Sequence, residues 1–327
     1  MASQRDVKNK IASVKNIQKI TRAMEMVAAA RLRRAEQRIA ALRPYADALG
    51  RMTRQAAEAA GAEALRLPLL REHEREENVA LLLVTGDRGL AGGFNSQIIR
   101  AGLRLSTELG EQGMGSSWYA TGRRGVSSLT FRGHELSGSY TGFSDRPAYA
   151  DARGIADDLM TAYIDGRVDR VEMVFNAYVS PLTQHVTQQR LLPLTGAVVV
   201  GEGDGASGAR RSAGDGGDGR TGAPGAHETA VATGQDGAPR LRATVEYEPE
   251  PEKILRRLVP DYIEVSIYRA LVESTAGFFG AQMTAMRSAS ENAGEIITEY
   301  TLQMNRARQA EITQEIMEVV AGAEGLS

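Results

Sequence analysis

The stretch whose residue types and spacing most suggest chemistry is glycine-rich and covers residues 86–95, GDRGLAGGFN. It follows an apolar run that suits a buried strand, and Asn95 or Ser96 can cap a helix that continues to about Leu109. A phosphate-binding loop would occupy this position between a strand and a helix. The glycines do not follow G-x-G-x-x-G, however, and no Gly-Lys-Ser/Thr closes the loop. An ordinary strand-to-helix turn is therefore favoured over a nucleotide site.

Other reactive residue types are scattered. His73, His134, His185 and His227 have no neighbours at metal-ligand spacing. No set of serine, histidine and aspartate has a recognisable nucleophile context. The absence of cysteine excludes a disulfide or a thiol switch. The sequence thus predicts no catalytic site, no cofactor and no metal.

A second polar cluster lies near the C-terminal end of the chain. Guanidinium and amide groups can form directional bonds with a surrounding protein. On spacing alone, a solvated helix end fits equally well, and both interpretations stay open. The cluster consists of Asn305, Arg306, Arg308, Gln309, Glu311, Thr313, Gln314 and Glu315.

This cluster belongs to a long predicted helix. Between residues 261 and 322 there is no proline, and only Gly277, Gly280 and Gly294 weaken the helix before Gly322. At 1.5 Å per residue its length is roughly 90 Å. A helix of this length cannot be buried in one small domain, so it needs a partner helix of similar length.

Residues 4–58 are the predicted partner. Pro44 should kink or loosen this helix near Arg43. The apolar and small residues have a mean step of about 3.5, the coiled-coil period. They are Val7, Ile11, Val14, Ile17, Ile20, Met24, Ala28, Leu32, Ala35, Ile39, Leu42, Ala46 and Leu49. The C-terminal stripe is less regular, and its last block is Ile312, Ile316 and Val319.

Charge supports pairing of the two ends. Residues 1–54 carry thirteen Lys or Arg against four Asp or Glu, whereas residues 260–327 carry four against ten. Opposite charge favours association of these helices over self-pairing of either. A nucleic-acid-binding coiled coil or a scaffold protein is the alternative, but it would leave the acidic helix unexplained.

Short strands and helices alternate between the two long helices, which predicts a small α/β domain. Residues 201–240 contain twelve glycines and almost no large apolar side chain, so we expect a disordered insertion there. The predicted fold class is therefore an α/β domain inserted between paired N- and C-terminal helices that form a long antiparallel α-helical coiled coil. The predicted boundaries are 1–60, 75–200, 201–240, 241–259 and 260–327.

Composition sets the broad class of the protein. With 24% charged and 42% apolar residues it is typical of soluble globular proteins, and its net charge of −2 argues against a dedicated nucleic-acid binder. The aliphatic run at residues 79–84 is too short to span a bilayer. The start, MASQRDVKNK, lacks the apolar core of a signal peptide. We therefore expect the protein to stay in the compartment where it is made.

Several blocks together resemble the gamma subunit of bacterial F-type ATP synthase. They are KIASVKNIQKITRAMEMVAAARLRRAEQR at residues 10–38, GDRGLAGGFN, GRRG at 122–125, LLPL at 191–194, EPEPEKILRRLVPDYIEVSIYRALVES and RQAEITQEIMEVVAGA. They occur in the family's order and cover nearly the whole chain outside residues 201–240. The resemblance is therefore highly specific.

The resemblance implies a rotor shaft without a catalytic site of its own. The terminal helices would turn inside a ring of three alpha and three beta subunits. The α/β foot would contact the epsilon subunit and rest on the c-subunit ring, with delta elsewhere in the complex. The expected location is the cytoplasmic face of the bacterial membrane, with membrane contact only through the complex and no nucleic acid.

The resemblance also assigns subunit contacts. Met24 matches the family methionine beside the lever of the beta subunit, and Arg308, Gln309 and Thr313 match residues that contact the catalytic ring. One block departs from the family: residues 276–283 read AGFFGAQM where Ala-Ser-Glu-x-Ala-Ala-Arg-Met is usual. Two helix-interior glycines at about 1 kcal/mol each should soften the shaft or alter its fit there.

The insertion at 201–240 carries a separate hypothesis. Related gamma subunits with extra foot segments can use them to restrain ATP hydrolysis. We expect either a modest brake of this kind or a neutral insertion, with neutrality favoured by the composition.

Overall fold

The protein consists of two long helices that pair and a five-stranded α/β domain attached to one end of the pair. The computed structural model describes residues 4–181, 183–194 and 250–324. The long helices are α1 (Gln4–Ala60) and α5 (Pro251–Glu324). The predicted fold class is confirmed. Residues 201–240 and most of the predicted return segment lie outside the described residues.

Contacts between α1 and α5 establish that they are antiparallel. Gln18 Nε2 donates to the carbonyl of Ser290 at 3.2 Å, and Glu25 lies 2.9 Å from Arg287 Nε. Nearer the start of α1, the Lys10 ammonium group lies 5.8 Å from the centre of the Tyr300 ring. As residue numbers rise along α1, those of the partners fall along α5.

The seam of the coiled coil differs from the predicted one at Ile17 and Ile20. Both side chains are more than half exposed, whereas Gln18 is half-buried and Thr21 is buried. The series Ile11, Val14, Gln18, Thr21, which is buried or half-buried, keeps the alternating steps of three and four. The prediction was wrong here because it selected apolar side chains, while the supercoil geometry selects positions.

The predicted start of the last helix at residue 260 was also wrong. The helix begins at Pro251, a position where proline loses no intrahelical bond, and it continues through Pro260. Leu255 and Val259 are almost fully buried just before Pro260, so core packing holds the helix across it. Pro44 likewise lies inside a continuous α1.

The α/β domain, called the foot below, contains one twisted sheet with strand order β3-β2-β1-β4-β5. All neighbouring strands are parallel except β4 and β5, which form an antiparallel hairpin. The strands are β1 (Asn78–Val84), β2 (Gly115–Thr121), β3 (Leu136–Tyr140), β4 (Arg170–Tyr178) and β5 (Gln184–Leu192). The helices are α2 (Phe94–Glu111), α3 (Arg123–Phe131) and α4 (Tyr149–Ile164), and a 3-10 helix (Gly61–Arg66) follows α1.

Two apolar clusters, one on each face of the sheet, form the core, and α5 contributes to both. One cluster joins α4 to the first part of α5, and the other joins α2 to α1 and to the next part of α5. All ten residues at 271–280 of α5 are buried. The foot is therefore built around α5. Within the described residues, no helix has both the length and the apolar character needed to cross a membrane.

Candidate functional site

The glycine-rich loop, whose position between a strand and a helix would suit a phosphate site, places the carboxylate of Asp87 against two neighbouring segments of the foot. Asp87 accepts hydrogen bonds from the backbone N–H groups of Arg123, Gly142 and Ser144 at 3.0–3.1 Å. Arg123 is the first residue of α3. Asp87 thus takes up the N–H groups at the start of α3 and in the segment 142–144, where an external anion could otherwise bind.

The Asp87 carboxyl group is adapted to this role as an anion. Burial alone would raise its pKa, but the hydrogen bonds from Gly142, Ser144 and Arg123 outweigh burial, and the pKa lies below its ordinary value of 3.8. The carboxylate stays ionised at neutral pH and links three loops at one edge of the sheet.

The same edge is closed by close backbone contacts. Thr85 donates its hydroxyl hydrogen to the carbonyl of Thr121 at 2.6 Å and accepts from the Gly125 N–H at 2.9 Å. Gly122 has φ 81°, and a Cβ there would lie 2.2 Å from the Thr85 carbonyl oxygen. The first glycine of the GRRG block is therefore required by packing at the turn from β2 to α3.

Helix α5 fills the crevice where an open parallel sheet usually binds its ligand. Phe278, Ser274 and Thr275 lie over the ends of β1 and β2 and leave a cavity of about 10 Å³. Phe278 packs edge-on against Phe94, with 5.7 Å between ring centres. The crevice leaves no room for a nucleotide, and the foot fold here serves to hold the shaft.

The departing block of α5 is shaped by its contact with the β4–β5 hairpin. A Cβ at Gly280 would lie 2.8 Å from Gln184 Nε2 and 3.0 Å from the Pro181 carbonyl oxygen. A Cβ at Gly277 would lie 3.3 Å from the Phe94 ring. Gly280 thus allows close approach of α5 to the hairpin, and Gly277 allows close approach to the first residue of α2. The hypothesis that this block alters the local fit or softens the shaft remains a prediction.

The cap residues predicted for α2 act differently. The helix begins at Phe94 with Gly93 before it, and no side chain caps it. Asn95 instead reaches back: it accepts from the Gly86 N–H at 2.8 Å and donates to the Arg88 carbonyl at 3.1 Å. Asn95 thus orders the glycine-rich loop.

Among the histidines, His73 has a defined structural contact that the sequence did not predict. Its Nδ1 lies 2.7 Å from Asp169, and its ring stacks on Tyr163 at 4.6 Å. Asp169 also accepts from the N–H groups of Glu77 and Asn78. These contacts fix the segment between α1 and β1, and no signal in the sequence joined residues so far apart.

An exposed apolar stripe on α1 contains Met24. Ile17, Ile20, Met24 and Val27 recur at steps of three and four; Met24 is half-buried and the other three are more than half exposed. Beside the stripe is a mostly apolar groove of about 300 Å³ bordered by Phe278. Residues excluded from the seam therefore form an apolar surface, a common sign of a binding site for another protein.

The C-terminal end of α5 has no partner helix in the described chain. The first residue of α1, Gln4, lies opposite a point of α5 shortly beyond Tyr300. Residues 308–324 of α5 therefore extend roughly 25 Å past the start of α1. We call these residues the free tip. All side chains at 308–317 are exposed. The prediction that Ile312 and Ile316 lie in the seam was therefore wrong. They lie where α1 is already absent.

The other three residues assigned as subunit contacts lie on the free tip. Arg308, Gln309 and Thr313 are all exposed. The Thr313 hydroxyl donates to the Gln309 carbonyl at 2.8 Å, within the helix. Met24 lies far along the coiled coil from them, on α1. The structure thus separates the assigned residues into a mid-shaft position and a tip position.

Polar contacts connect α1 to the foot. Arg31 Nη1 lies 3.0 Å from Asp145, and Tyr178 donates to Glu36 at 2.5 Å. Burial, followed by the Glu36 carboxylate, raises the pKa of Tyr178, so the phenol keeps the proton that it donates. Together with the apolar packing of Leu32 and Ile39, these contacts make helix pair and foot one continuous body.

Comparison with known sequences matches nearly the full chain to one family. The ATP-synt family, described as ATP synthase, matches residues 3–326. An ATP synthase gamma chain of Rubrobacter xylanophilus is 39% identical over 100% of this chain and 99% of the relative. The gamma chains of Nostoc and Moorella thermoacetica are each 38% identical, with full coverage of both chains.

Solved structures share the fold at low sequence identity. A chain from the central stalk and c-ring structure of Tetrahymena thermophila mitochondrial ATP synthase has a TM-score of 0.55 at 22% identity, covering 83% of this chain and 99% of that one. A rotor chain from Euglena gracilis mitochondrial ATP synthase has a TM-score of 0.61 at 14% identity, covering 94% and 98%. Fold and sequence agree, and the chain belongs to the ATP synthase gamma chain family.

Proposed function

We propose that this chain is the central rotor shaft of a proton-translocating F-type ATP synthase. It is a non-catalytic subunit: it couples rotation of the membrane c ring to conformational change in the catalytic beta subunits. The observation that carries the proposal is the asymmetric helix pair, built into a compact foot at one end and ending in the free tip at the other. The alternative of a nucleic-acid-binding coiled coil has no support from the family assignment.

The architecture suits transmission of torque. A single helix bends easily over its length, whereas two helices packed along a common seam resist bending and twisting together. Helix α5 is buried at 271–280 inside the foot, so rotation of the foot must rotate α5. The polar contacts of Arg31 and Glu36 couple α1 to the same body.

We also propose the subunit contacts that the resemblance assigns, and the exposure of these surfaces in the described chain supports them. The apolar stripe of Ile17, Ile20, Met24 and Val27 would lie against the moving lever of a beta subunit. Arg308, Gln309 and Thr313 would contact the upper part of the alpha and beta ring. An apolar stripe that sweeps past three equivalent subunits can push each lever without a fixed hydrogen-bond register.

The remaining partners and the location follow from the same assignment. The foot would bind the epsilon subunit and rest on the c-subunit ring, with delta present in the same complex. The chain would then lie at the cytoplasmic face of the bacterial membrane as a peripheral protein and would bind no nucleic acid.

Affinity purification from membranes tests the proposal. With a tag at the C-terminus, we expect the alpha, beta and epsilon subunits to co-purify with ATPase activity. Recovery of the chain alone, or with nucleic acid that high salt removes, would contradict the proposal.

The insertion at 201–240 is tested in the same complex. We propose that it is neutral, since a segment so rich in glycine offers little apolar surface for a stable inhibitory contact. Deleting residues 201–240 should leave ATP hydrolysis unchanged. A rise in hydrolysis on deletion would instead establish a brake.

A further inference from the structure

We propose that a basic groove at the junction of α1, α5 and the segment before α4 binds a compact polyphosphate anion through its pyrophosphate group. The groove has a volume of about 380 Å³, within the usual range for small-ligand sites. We call it the arginine groove; its lining includes Arg31, Arg34, Arg38, Asp145, Arg146 and Phe279.

The charges of the arginine groove are strongly unbalanced. Four guanidinium groups line it against the single carboxylate of Asp145, which already has two partners, Arg31 at 3.0 Å and Arg88 at 3.4 Å. In the described parts of the chain, neither Arg34, Arg38 nor Arg146 makes a salt bridge. Three guanidinium groups of the groove therefore have no carboxylate paired with them in the described chain, and the groove concentrates positive potential.

The arginines converge from two directions. Arg31, Arg34 and Arg38 are spaced by three and four residues, which places them along one face of α1. Arg146 comes from the segment that precedes α4, across the groove. A ligand between them would contact both the shaft and the foot.

The chemistry of the lining selects phosphate oxygens. Each guanidinium group can donate two parallel hydrogen bonds to a phosphate, and several arginines can share the charge of a pyrophosphate group. The apolar part of the lining is closed, because Phe279 is 2% exposed and Ala35 is 4% exposed. The side chains that remain exposed in the groove are therefore mainly the arginines, so recognition would rest on charged oxygens.

This closed apolar surface also favours a small anion over an acidic protein segment. A docked peptide gains much of its affinity from side chains buried against apolar residues, and the apolar residues of this groove, Ala35 and Phe279, are already covered. A pyrophosphate group, free or as part of a nucleotide, needs only the guanidinium groups. Asp145 would stay paired with Arg31 and Arg88 and would limit how deeply the anion enters.

The test is calorimetric titration of the full chain with inorganic pyrophosphate at low and moderate salt. We expect one bound pyrophosphate per chain and an affinity that falls as salt rises. The double substitution Arg34→Gln with Arg38→Gln should raise Kd by about tenfold or more, because it removes charged hydrogen bonds from one face. Circular dichroism verifies that the variant is folded.

The matched control is Arg33→Gln with Arg43→Gln, which removes the same charge from exposed positions of α1 outside the groove. Its Kd should stay within about twofold of the parent value. Equal weakening by both pairs would mean nonspecific attraction to a basic helix and would overturn the proposal. Undetectable pyrophosphate binding by a folded parent chain, with or without binding of a polyglutamate peptide, would overturn it too.

Discussion

Replacing Asp87 with alanine should destabilise the foot measurably, although Asp87 is not part of any catalytic site. Three backbone N–H groups, from Arg123, Gly142 and Ser144, lose their acceptor in this variant. A hydrogen bond to a charged acceptor contributes about 1.5–3 kcal/mol to stability. Since Asp87 is only half-buried and water can replace part of the loss, we expect a total of about 2–4 kcal/mol.

Thermal unfolding of the purified chain measures this loss. For a protein of this size, about 2–4 kcal/mol corresponds to a melting temperature roughly 3–6 °C lower. The matched control is Asp157→Ala. That carboxylate is 57% exposed, and its ion pair with Arg153 is long, at 3.9 Å, and therefore weak. The control should melt within about 1 °C of the parent.

The dependence on pH gives an independent readout. The pKa of Asp87 is lower in the folded state than its ordinary value of 3.8, so its contribution to stability is complete above that value. The contribution is lost as pH falls through the folded pKa. The difference in stability between parent and Asp87→Ala should therefore be constant near neutral pH and shrink below about pH 4. A variant that melts like the parent at pH 7 would refute this account of the loop.

Three further changes test the shaft itself. Met24→Ser should leave the melting temperature of the chain nearly unchanged, since the side chain is half-buried at a surface, but lower ATP synthesis in reconstituted vesicles; unchanged synthesis would contradict a role at the lever. Phe278→Glu with Gln282→Arg, which brings back the family's usual side chains, should destabilise the chain by about 3–5 kcal/mol, because a carboxylate would replace a buried aromatic ring. Normal stability, hydrolysis, coupling and shaft stiffness would show that the block is not specialised. Ile312→Ser with Ile316→Ser should not alter the stability of the isolated chain, since both side chains are exposed, yet should lower the hydrolysis rate of the complex; an unaffected rate would contradict a tip contact.

The long-range pairing of this chain could be predicted from sequence because its signals are repetitive. A step of 3.5 over many turns and opposite charge at the two ends both survive local errors. The details failed where position outweighs residue type. Gln18 and Thr21 occupy the seam because of the supercoil geometry, while Ile17 and Ile20 face outward.

Other features could not be predicted because their cause lies far away in the chain. Strand β3, LSGSY, was not predicted, since its bulky residues are only at its ends and it forms an edge. The bonds of Asp87 to the segment at 142–144 join residues more than fifty positions apart. The start of α5 at Pro251 depends on burial of Leu255 and Val259 in a core that the local sequence does not show.

Direct observation of rotation tests the central claim. The chain contains no cysteine, so Glu111→Cys at the exposed end of α2 gives a single labelling site on the foot. With the alpha and beta ring of the assembled complex fixed to a surface and a bead on this cysteine, we expect ATP to drive unidirectional rotation of the bead. ATP hydrolysis by the same complexes with a stationary bead would contradict the assignment of this chain as the rotor shaft.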